Sequence, residues 1–446
     1  MRAVRNHGFD HPYARADRGP TVTDILDELH WRGLIALSTD EQALRSALAA
    51  GPVTYYCGFD PTAPSLHIGN LVQVLTVRRL QLAGHDPLAL VGGATGLIGD
   101  PKMTGERTLN DRDVVSGWVE RIRKQIEPLL DFDGPHPARM VNNLDWTAPL
   151  SAIDFLRDVG KHFRLSRMLA KESVSARLNS DQGISFTEFS YQILQGMDYL
   201  ELHRRYGCVL QTGGSDQWGN LTSGVDLIHR VERQSVHALA TPLITKADGT
   251  KFGKTETGTI WLDPEMTSPY SFFQFWVNVD DRDVVGYLKV FSFRSRDEIA
   301  ELEREAAEKP AARSAQRALA EDLTSMLHGP DETAKVIAAS RALFGMGALE
   351  ELDAGTLKAA LDEAGASVLE TGEELPSYVD LFVQSGLVDS RSAARRAISD
   401  GGAYVNNVRL DPGLAPEDRP ARDDLLHGRY LVLRRGKRTV GGVEIA

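Results

Sequence analysis

The stretch from residue 53 to residue 93 leaves few folds open. "VTYYCGF" (53–59) is β-branched and aromatic and reads as a strand. "HIGNLVQVLTVRRLQLAG" (67–84) reads as a helix ending at Gly84, and "PLALVGG" (87–93) as a second strand. Strand, helix and strand in that order make a βαβ unit, which implies a parallel sheet with helices on its faces. Further buried strands are expected at 138–143, 208–214 and 237–244, with a helical insertion at about 145–206 interrupting the sheet. The class is therefore α/β.

At 446 residues the chain has length for about three domains of ~150 residues. No apolar run approaches the ~18 residues of a membrane helix, so no membrane is expected as a partner. Residues 1–20 carry arginines and aspartates without an apolar core, and read as a disordered tail rather than a targeting signal. Two cysteines, Cys57 and Cys208, argue against a disulfide framework or a cysteine zinc site and suit a reducing, cytoplasmic compartment. Net charge is −12, yet residues 391–446 hold 11 Lys/Arg against 7 Asp/Glu. Acidity disfavours non-specific nucleic-acid binding, while a local basic face still permits specific binding.

Downstream of a first region spanning 21–246, residues 247–345 hold a lysine- and glycine-bearing loop and then, from Ser268 to about Phe344, mainly helical periodicity. Residues 346–376 are acidic and glycine-containing and read as a linker, after which a compact βα pattern fills 377–446.

Two loops carry the chemistry. "CGFDPTAPSLHIGN" follows the first strand, with Ser65 placed to cap a helix that begins near His67. The mouth of a parallel sheet at a helix N-terminus is where anionic ligands bind in open α/β folds. His-x-Gly at that point also fits plain capping. The second loop, "TKADGTKFGKT" (245–255), ends like a P-loop, but Asp248 stands where the first glycine belongs and an extended segment follows instead of a helix. What remains is a glycine-hinged loop presenting Lys251 and Lys254, suited to clamping polyphosphate; a solvated charge run has the same composition. His7 and His11 have the i, i+4 spacing of a metal pair, but Gly8 and Pro12 oppose a helix there, and no metal site is expected.

HIGN, and KFGKT roughly 180 residues later, resemble the HIGH and KMSKS signatures of class I aminoacyl-tRNA synthetases. Within that class, "YYCGFDPTAPSLHIGN", "GGATGLIGDP", "YQILQGMDY", "GGSDQWGN" and "DGTKFGKT" look very like bacterial tyrosyl-tRNA synthetases, a resemblance covering roughly 22–446. It implies a Rossmann-like catalytic domain with a helical insertion, an α-helical anticodon-binding-type domain and a small α+β S4-like RNA-binding domain. It also implies a homodimer and the partners L-tyrosine, ATP with Mg²⁺ and tRNA(Tyr), with no tightly bound cofactor.

Residue by residue, the resemblance implies that Tyr56 and Asp198 bind the phenolic hydroxyl of tyrosine, and that Asp100, Tyr191 and Gln195 hold its α-ammonium. Cys57, Gly69, Gly214, Asp216 and Gln217 would surround the ribose and adenylate, and Thr62, His67, Asn70, Lys251 and Lys254 would serve the phosphates. Positions 191, 195 and 198 are spaced i, i+4, i+7 and share one helix face. Such a polar stripe is either a solvated face or the lining of a buried pocket. The fourth letter of HIGH is Asn70 here, and KMSKS is Lys251-Phe252-Gly253-Lys254-Thr255, both lysines kept. In the C-terminal segment, Arg391, Arg395 and Arg396 lie close on one helical face, which reads either as solvated or, by resemblance to S4-type domains, as RNA-binding. Arg434, Arg435, Lys437 and Arg438 would extend that surface.

Overall fold

The computed structural model describes residues 24–101, 109–181, 183–250, 252–255, 258–370, 374–437 and 439–446, with 172, 173, 254 and 255 described by backbone alone. Lys251 and Arg438, like His7 and His11, lie outside the described residues. The chain divides into two compact units, one of residues up to 263 with 280–315, the other of 264–279 with 316–446.

The first unit is built on a six-stranded sheet. Its strands are β1 (Leu37–Ser38), β2 (Thr54–Phe59), β3 (Asp86–Val91), β4 (Arg139–Asn142), β5 (Cys208–Gly214) and β6 (His237–Thr241), in the order β1-β6-β5-β2-β3-β4. The pairs β2–β3, β3–β4, β2–β5 and β5–β6 are parallel. β1 runs antiparallel on the β6 edge; at two residues it is too short to show in sequence. Helix α1 (Ile68–Leu82) crosses from β2 to β3. Strand order reverses between β2 and β5, where Tyr56 lies beside Gln211. Ligands of such sheets bind beyond the carboxyl ends of the strands at this switch point.

Between β4 and β5 lie the insertion helices, the longest being α2 (Phe186–Tyr206). Its start is fixed by Ser185, whose side chain accepts from the Glu188 N–H, and it ends at Gly207. Along 190–202 it is buried over most of its surface, including Tyr191 and Asp198. Helix α3 (Trp218–Glu232) follows β5 and packs against α2.

The second unit packs helices Pro269–Val277, Pro330–Leu343 and Ala354–Glu363 on one another, and carries a five-stranded sheet. Within the acidic stretch 346–376, expected as a linker, Ala354–Glu363 forms a helix and Ser367–Leu369 a strand. Leu357, Ala360 and Leu361 are buried on one face of the helix Ala354–Glu363, an i, i+3, i+4 stripe that the surrounding acids obscure in the sequence. Ser367–Leu369 then pairs in parallel with Val443–Ile445 of the last strand. Helix Arg391–Ser399 buries Ala394 and Ile398 while Arg391, Arg395 and Arg396 are exposed.

Candidate active site

The carboxyl ends of four parallel strands supply one polar cluster. Asp60 follows β2, Thr95 and Asp100 follow β3, Asn143 and Trp146 follow β4, and Asp216 and Gln217 follow β5. Helix α2 closes the cluster from the insertion side. Its Tyr191–Gln195–Asp198 stripe points inward: Tyr191 and Asp198 are buried and Gln195 half-buried.

Asp198 is 2% exposed, and both its oxygens are held. Oδ2 accepts from Asn143 Nδ2 at 2.9 Å and Oδ1 from Trp146 Nε1 at 2.8 Å. Burial pushes its carboxyl up to about 7, against the two N–H donors, which favour the charged form. Asn143 Nδ2 also donates to Thr95 Oγ1 at 3.0 Å, Thr95 donates to Asp60 Oδ1 at 2.6 Å, and the Tyr191 hydroxyl donates to Asp60 Oδ2 at 2.6 Å. A continuous hydrogen-bonded path therefore links Asp198 to Tyr191 through groups from three strand ends. Such paths hold rotamers fixed, because each member depends on its neighbours for satisfaction in a low-dielectric site.

Within this frame, and among the described residues, three buried polar atoms find no hydrogen-bond partner: the Tyr56 hydroxyl, Gln195 Oε1 and Gln211 Oε1. An unsatisfied buried group costs roughly 1–3 kcal/mol, so three at a sheet switch point mark a place kept for a polar ligand. Tyr56 packs its ring on Tyr199 at 5.2 Å, and burial, then the Asp198 carboxylate, holds its hydroxyl firmly protonated. It is thus kept as a donor.

Asp100 gathers a second set of polar partners. Its Oδ1 is reached by Lys171 Nζ and Asn220 Nδ2, both at 3.2 Å, and its Oδ2 by Gln217 Nε2 at 3.0 Å. Gln217 also donates to Asp216 Oδ2 at 3.1 Å. Cys57 is buried on β2, and burial pushes its thiol up to about 12, which keeps it neutral. Beside this cluster, a cavity of about 620 Å³ is lined by residues including Phe163, Arg167, Lys171, Asp216 and Trp218. Tyr56, Asp100 and Asp198 do not line it.

The two signature loops meet although they are far apart in sequence. The residue capping α1 is His67, not Ser65: its Nδ1 accepts from the Gly69 N–H at 3.0 Å, while Asn70 Oδ1 accepts from the His67 N–H at 3.1 Å. Ser65 is turned away, donating to its neighbour's carbonyl, because its side chain is engaged with Gln125. A Cβ on residue 69 would sit 2.8 Å from the His67 ring, so only glycine leaves room for it. Gly253 of KFGKT, at φ +79°, approaches Ile68 so closely that a Cβ there would lie 2.9 Å from Ile68 Cγ1. Hydrogen bonds from Ile68 to Ile260 and from Ile260 to Gly253 complete the junction. Phe252 stacks on Phe291 at 5.3 Å and meets Tyr287 at a tilt, ring centres 4.9 Å apart. Thr62 is exposed in the loop after β2, and Gly214 ends β5.

Sequence reasoning missed Asp60, Thr95, Asn143, Trp146, Lys171, Gln211 and Asn220. Asp60 stands inside the quoted loop after β2, Asn143 ends the strand expected at 138–143, and Trp146 lies three residues beyond it. Position at a strand's carboxyl end was the available signal. Among the described residues, no group of three or more His, Cys, Asp or Glu is placed to hold a metal ion. No described helix is long and apolar enough to cross a membrane.

Comparison with known proteins gives the family. Residues 48–345 match the model of class I tRNA synthetases (W and Y), and 360–440 that of the tyrosine–tRNA ligase SYY-like C-terminal domain. The tyrosine–tRNA ligase of Streptomyces avermitilis is 70% identical over 95% of this chain and 99% of its own length. That of Streptomyces coelicolor is 66% identical over the same shares. The crystal structure of a C-terminally truncated mitochondrial tyrosyl-tRNA synthetase from Coccidioides posadasii aligns with TM-score 0.63 at 31% identity, over 70% of this chain and 91% of that one. By sequence and fold, the chain belongs to the class I tRNA synthetases, in their tyrosyl-tRNA synthetase family.

Proposed function

We infer that the chain works as a tyrosine–tRNA ligase. It activates L-tyrosine with ATP to tyrosyl-adenylate and pyrophosphate, then passes tyrosine to the 3′-terminal adenosine of tRNA(Tyr). The observation that carries the substrate assignment is the pairing of an unpartnered Tyr56 hydroxyl with a doubly anchored Asp198. A phenol entering between them accepts from Tyr56 and donates to Asp198, satisfying both. Phenylalanine leaves the Tyr56 hydroxyl unsatisfied, at roughly 1–3 kcal/mol, and brings Asp198 no further donor. Tyrosyl-tRNA synthetase is itself a standard example of such hydroxyl-based rejection, at ~10⁵ over phenylalanine.

In this reading Asp100, Tyr191 and Gln195 hold the α-ammonium. The tyrosine carboxylate attacks the α-phosphate in line, and the protein contributes positioning and charge stabilisation without a covalent enzyme intermediate. Cys57, Gly69, Gly214, Asp216 and Gln217 wall the ribose and adenine side. His67, Asn70, Thr62, Lys251 and Lys254 serve the phosphates of ATP, which arrives with Mg²⁺. The contact of Gly253 with Ile68 supports this grouping, since it brings the KFGKT backbone to the first turn of α1.

The exposed Arg391, Arg395 and Arg396, on a helix whose other face is buried, support a tRNA contact from the C-terminal unit. Arg391 also pairs with Asp380 at 3.0 Å. Apolar side chains left exposed in the insertion, Phe186 at 73%, Ile153 at 69% and Leu165 at 65%, support a homodimer formed through it. Two buried free cysteines fit a cytoplasmic setting.

The test is ATP–pyrophosphate exchange without tRNA, offering tyrosine, phenylalanine and tryptophan separately. Exchange with tyrosine alone is expected. Tryptophan-driven exchange, or none from folded protein, overturns the assignment.

A further inference from the structure

An ammonium of the chain itself sits on Asp100. Lys171 Nζ lies 3.2 Å from Asp100 Oδ1 and 2.8 Å from Asn220 Oδ1, and the two charged side chains are only 11% and 18% exposed. Lys171 immediately precedes the insertion helix Glu172–Leu178, and its stem runs along Gly219 in the first turn of α3. Asn220 completes the arrangement by donating to Asp100 and accepting from Lys171.

We propose that Lys171 is an internal counter-ion which the α-ammonium of the substrate must displace from Asp100, so that Lys171 sets both the affinity for the amino acid and the preference for ligands that carry an ammonium. This rests on the reading of Asp100 as the α-ammonium site. Two ammonium groups cannot share one half-buried carboxylate without repulsion, so substrate binding and the Lys171–Asp100 pair exclude one another. The displaced side chain has somewhere to go. Lys171 also lines the neighbouring cavity of about 620 Å³, where the Asp216 carboxylate is available to it. The move needs only rotation of a flexible stem, with no unfolding of the helix that follows. A ligand without an ammonium leaves Lys171 in place. The empty site therefore holds its carboxylate neutralised, and an amino acid pays for entry by exchanging one cation for another.

The experiment compares equilibrium binding of L-tyrosine and of 3-(4-hydroxyphenyl)propionate, the same molecule without its amine, to the full chain. Variants are Lys171→Met, which keeps the stem, Lys171→Gln, which removes the charge but keeps a donor, and Asp100→Asn. Expected is a rise in the preference for tyrosine over the propionate of about fivefold in Lys171→Met, the scale of a partly exposed ion pair, with a change of the same sign in Lys171→Gln. A preference that is unchanged or falls in both variants overturns the proposal, because Lys171 would then be a strut. Opposite signs in the two variants also overturn it, since packing and not charge would be the agent. Asp100→Asn separates the two levels of the argument. It is expected to erase most of the preference for tyrosine, and if it does not, the reading of Asp100 fails and takes the Lys171 exchange with it. Loss of preference in Asp100→Asn beside no effect of Lys171→Met sinks the exchange alone.

Discussion

The amino-acid pocket and the signature-loop junction lie in one unit, yet they are built on opposite principles. The pocket is made of side chains that are buried, mutually hydrogen-bonded and held by four strand ends. Asp198, Asn143, Thr95, Asp60 and Tyr191 form an unbroken path. The junction of HIGN with KFGKT is made of backbone: Gly69 leaves room for an imidazole, Gly253 fits against Ile68, and bonds pass between main chains. A site that discriminates one hydroxyl needs fixed donors and acceptors. A site that must follow polyphosphate through bond breaking needs donors that can be delivered and withdrawn, and glycine hinges allow that. Substitutions should therefore act differently in the two regions.

The sharpest way to break the comparison is Asp198→Asn. An amide nitrogen then faces either Asn143 Nδ2 or Trp146 Nε1, donor against donor. We expect tyrosine activation, as kcat/KM in pyrophosphate exchange, to fall by about 10²–10³-fold, on the order of 3–4 kcal/mol for a lost charge-assisted bond plus a stranded donor. The phenylalanine signal should change little. Equal loss for both amino acids would show that the path supports the fold and not recognition. Next is Lys251→Ala, which should slow adenylate formation by about 2–4 kcal/mol, by analogy with loss of one transition-state donor. Tyrosine affinity should stay the same. An unchanged single-turnover rate would remove Lys251 from the chemistry.

A smaller effect is expected from Asn70→Ala. Asn70 Oδ1 accepts the His67 N–H across the first turn of α1, so its loss should cost about 1 kcal/mol in thermal stability, the usual value of a cap. If Asn70 does nothing beyond capping, the adenylation rate at a temperature where the variant is folded stays within about twofold. A larger drop in rate than in stability assigns it to the phosphates as well.

What the sequence made legible follows from the same division. Strand runs such as "VTYYCGF" and "CVLQTGG" are dense in β-branched or apolar residues, and they emerge as β2 and β5. The spacing of Tyr191, Gln195 and Asp198 placed them on one helix face, but which way that face turned depended on tertiary packing. Asn143 and Trp146 were invisible as site residues because "NNLDW" has the composition of any strand-to-helix loop. Their role arises from Asp198, 55 and 52 residues further along. The acidic stretch before the C-terminal sheet misled for a related reason. Its charges announce solvent, while a short apolar stripe, Leu357, Ala360 and Leu361, holds the helix in the core. The Lys171–Asp100 pair spans 71 residues and carries no local pattern at all.

The mildest test perturbs only protons and needs no substitution to begin. Burial places the Asp198 carboxyl at about 7 instead of its ordinary 3.8. The folded chain thus keeps a proton that the unfolded chain releases near pH 4. This group's effect on stability is a loss as pH rises from about 4 to about 7, levelling off above. Tyrosine binding works in the opposite sense. A phenol donates best to the ionised carboxylate, so binding lowers the Asp198 pKa and releases a proton. Affinity for tyrosine should therefore rise by a few-fold between pH 6 and pH 8 and flatten beyond it, while phenylalanine, with no hydroxyl to donate, lacks that slope. In Asp198→Asn the tyrosine slope should vanish. A slope shared by tyrosine and phenylalanine would show that the pH sensitivity does not arise at the Asp198 carboxyl, and would remove the hydroxyl contact as its source.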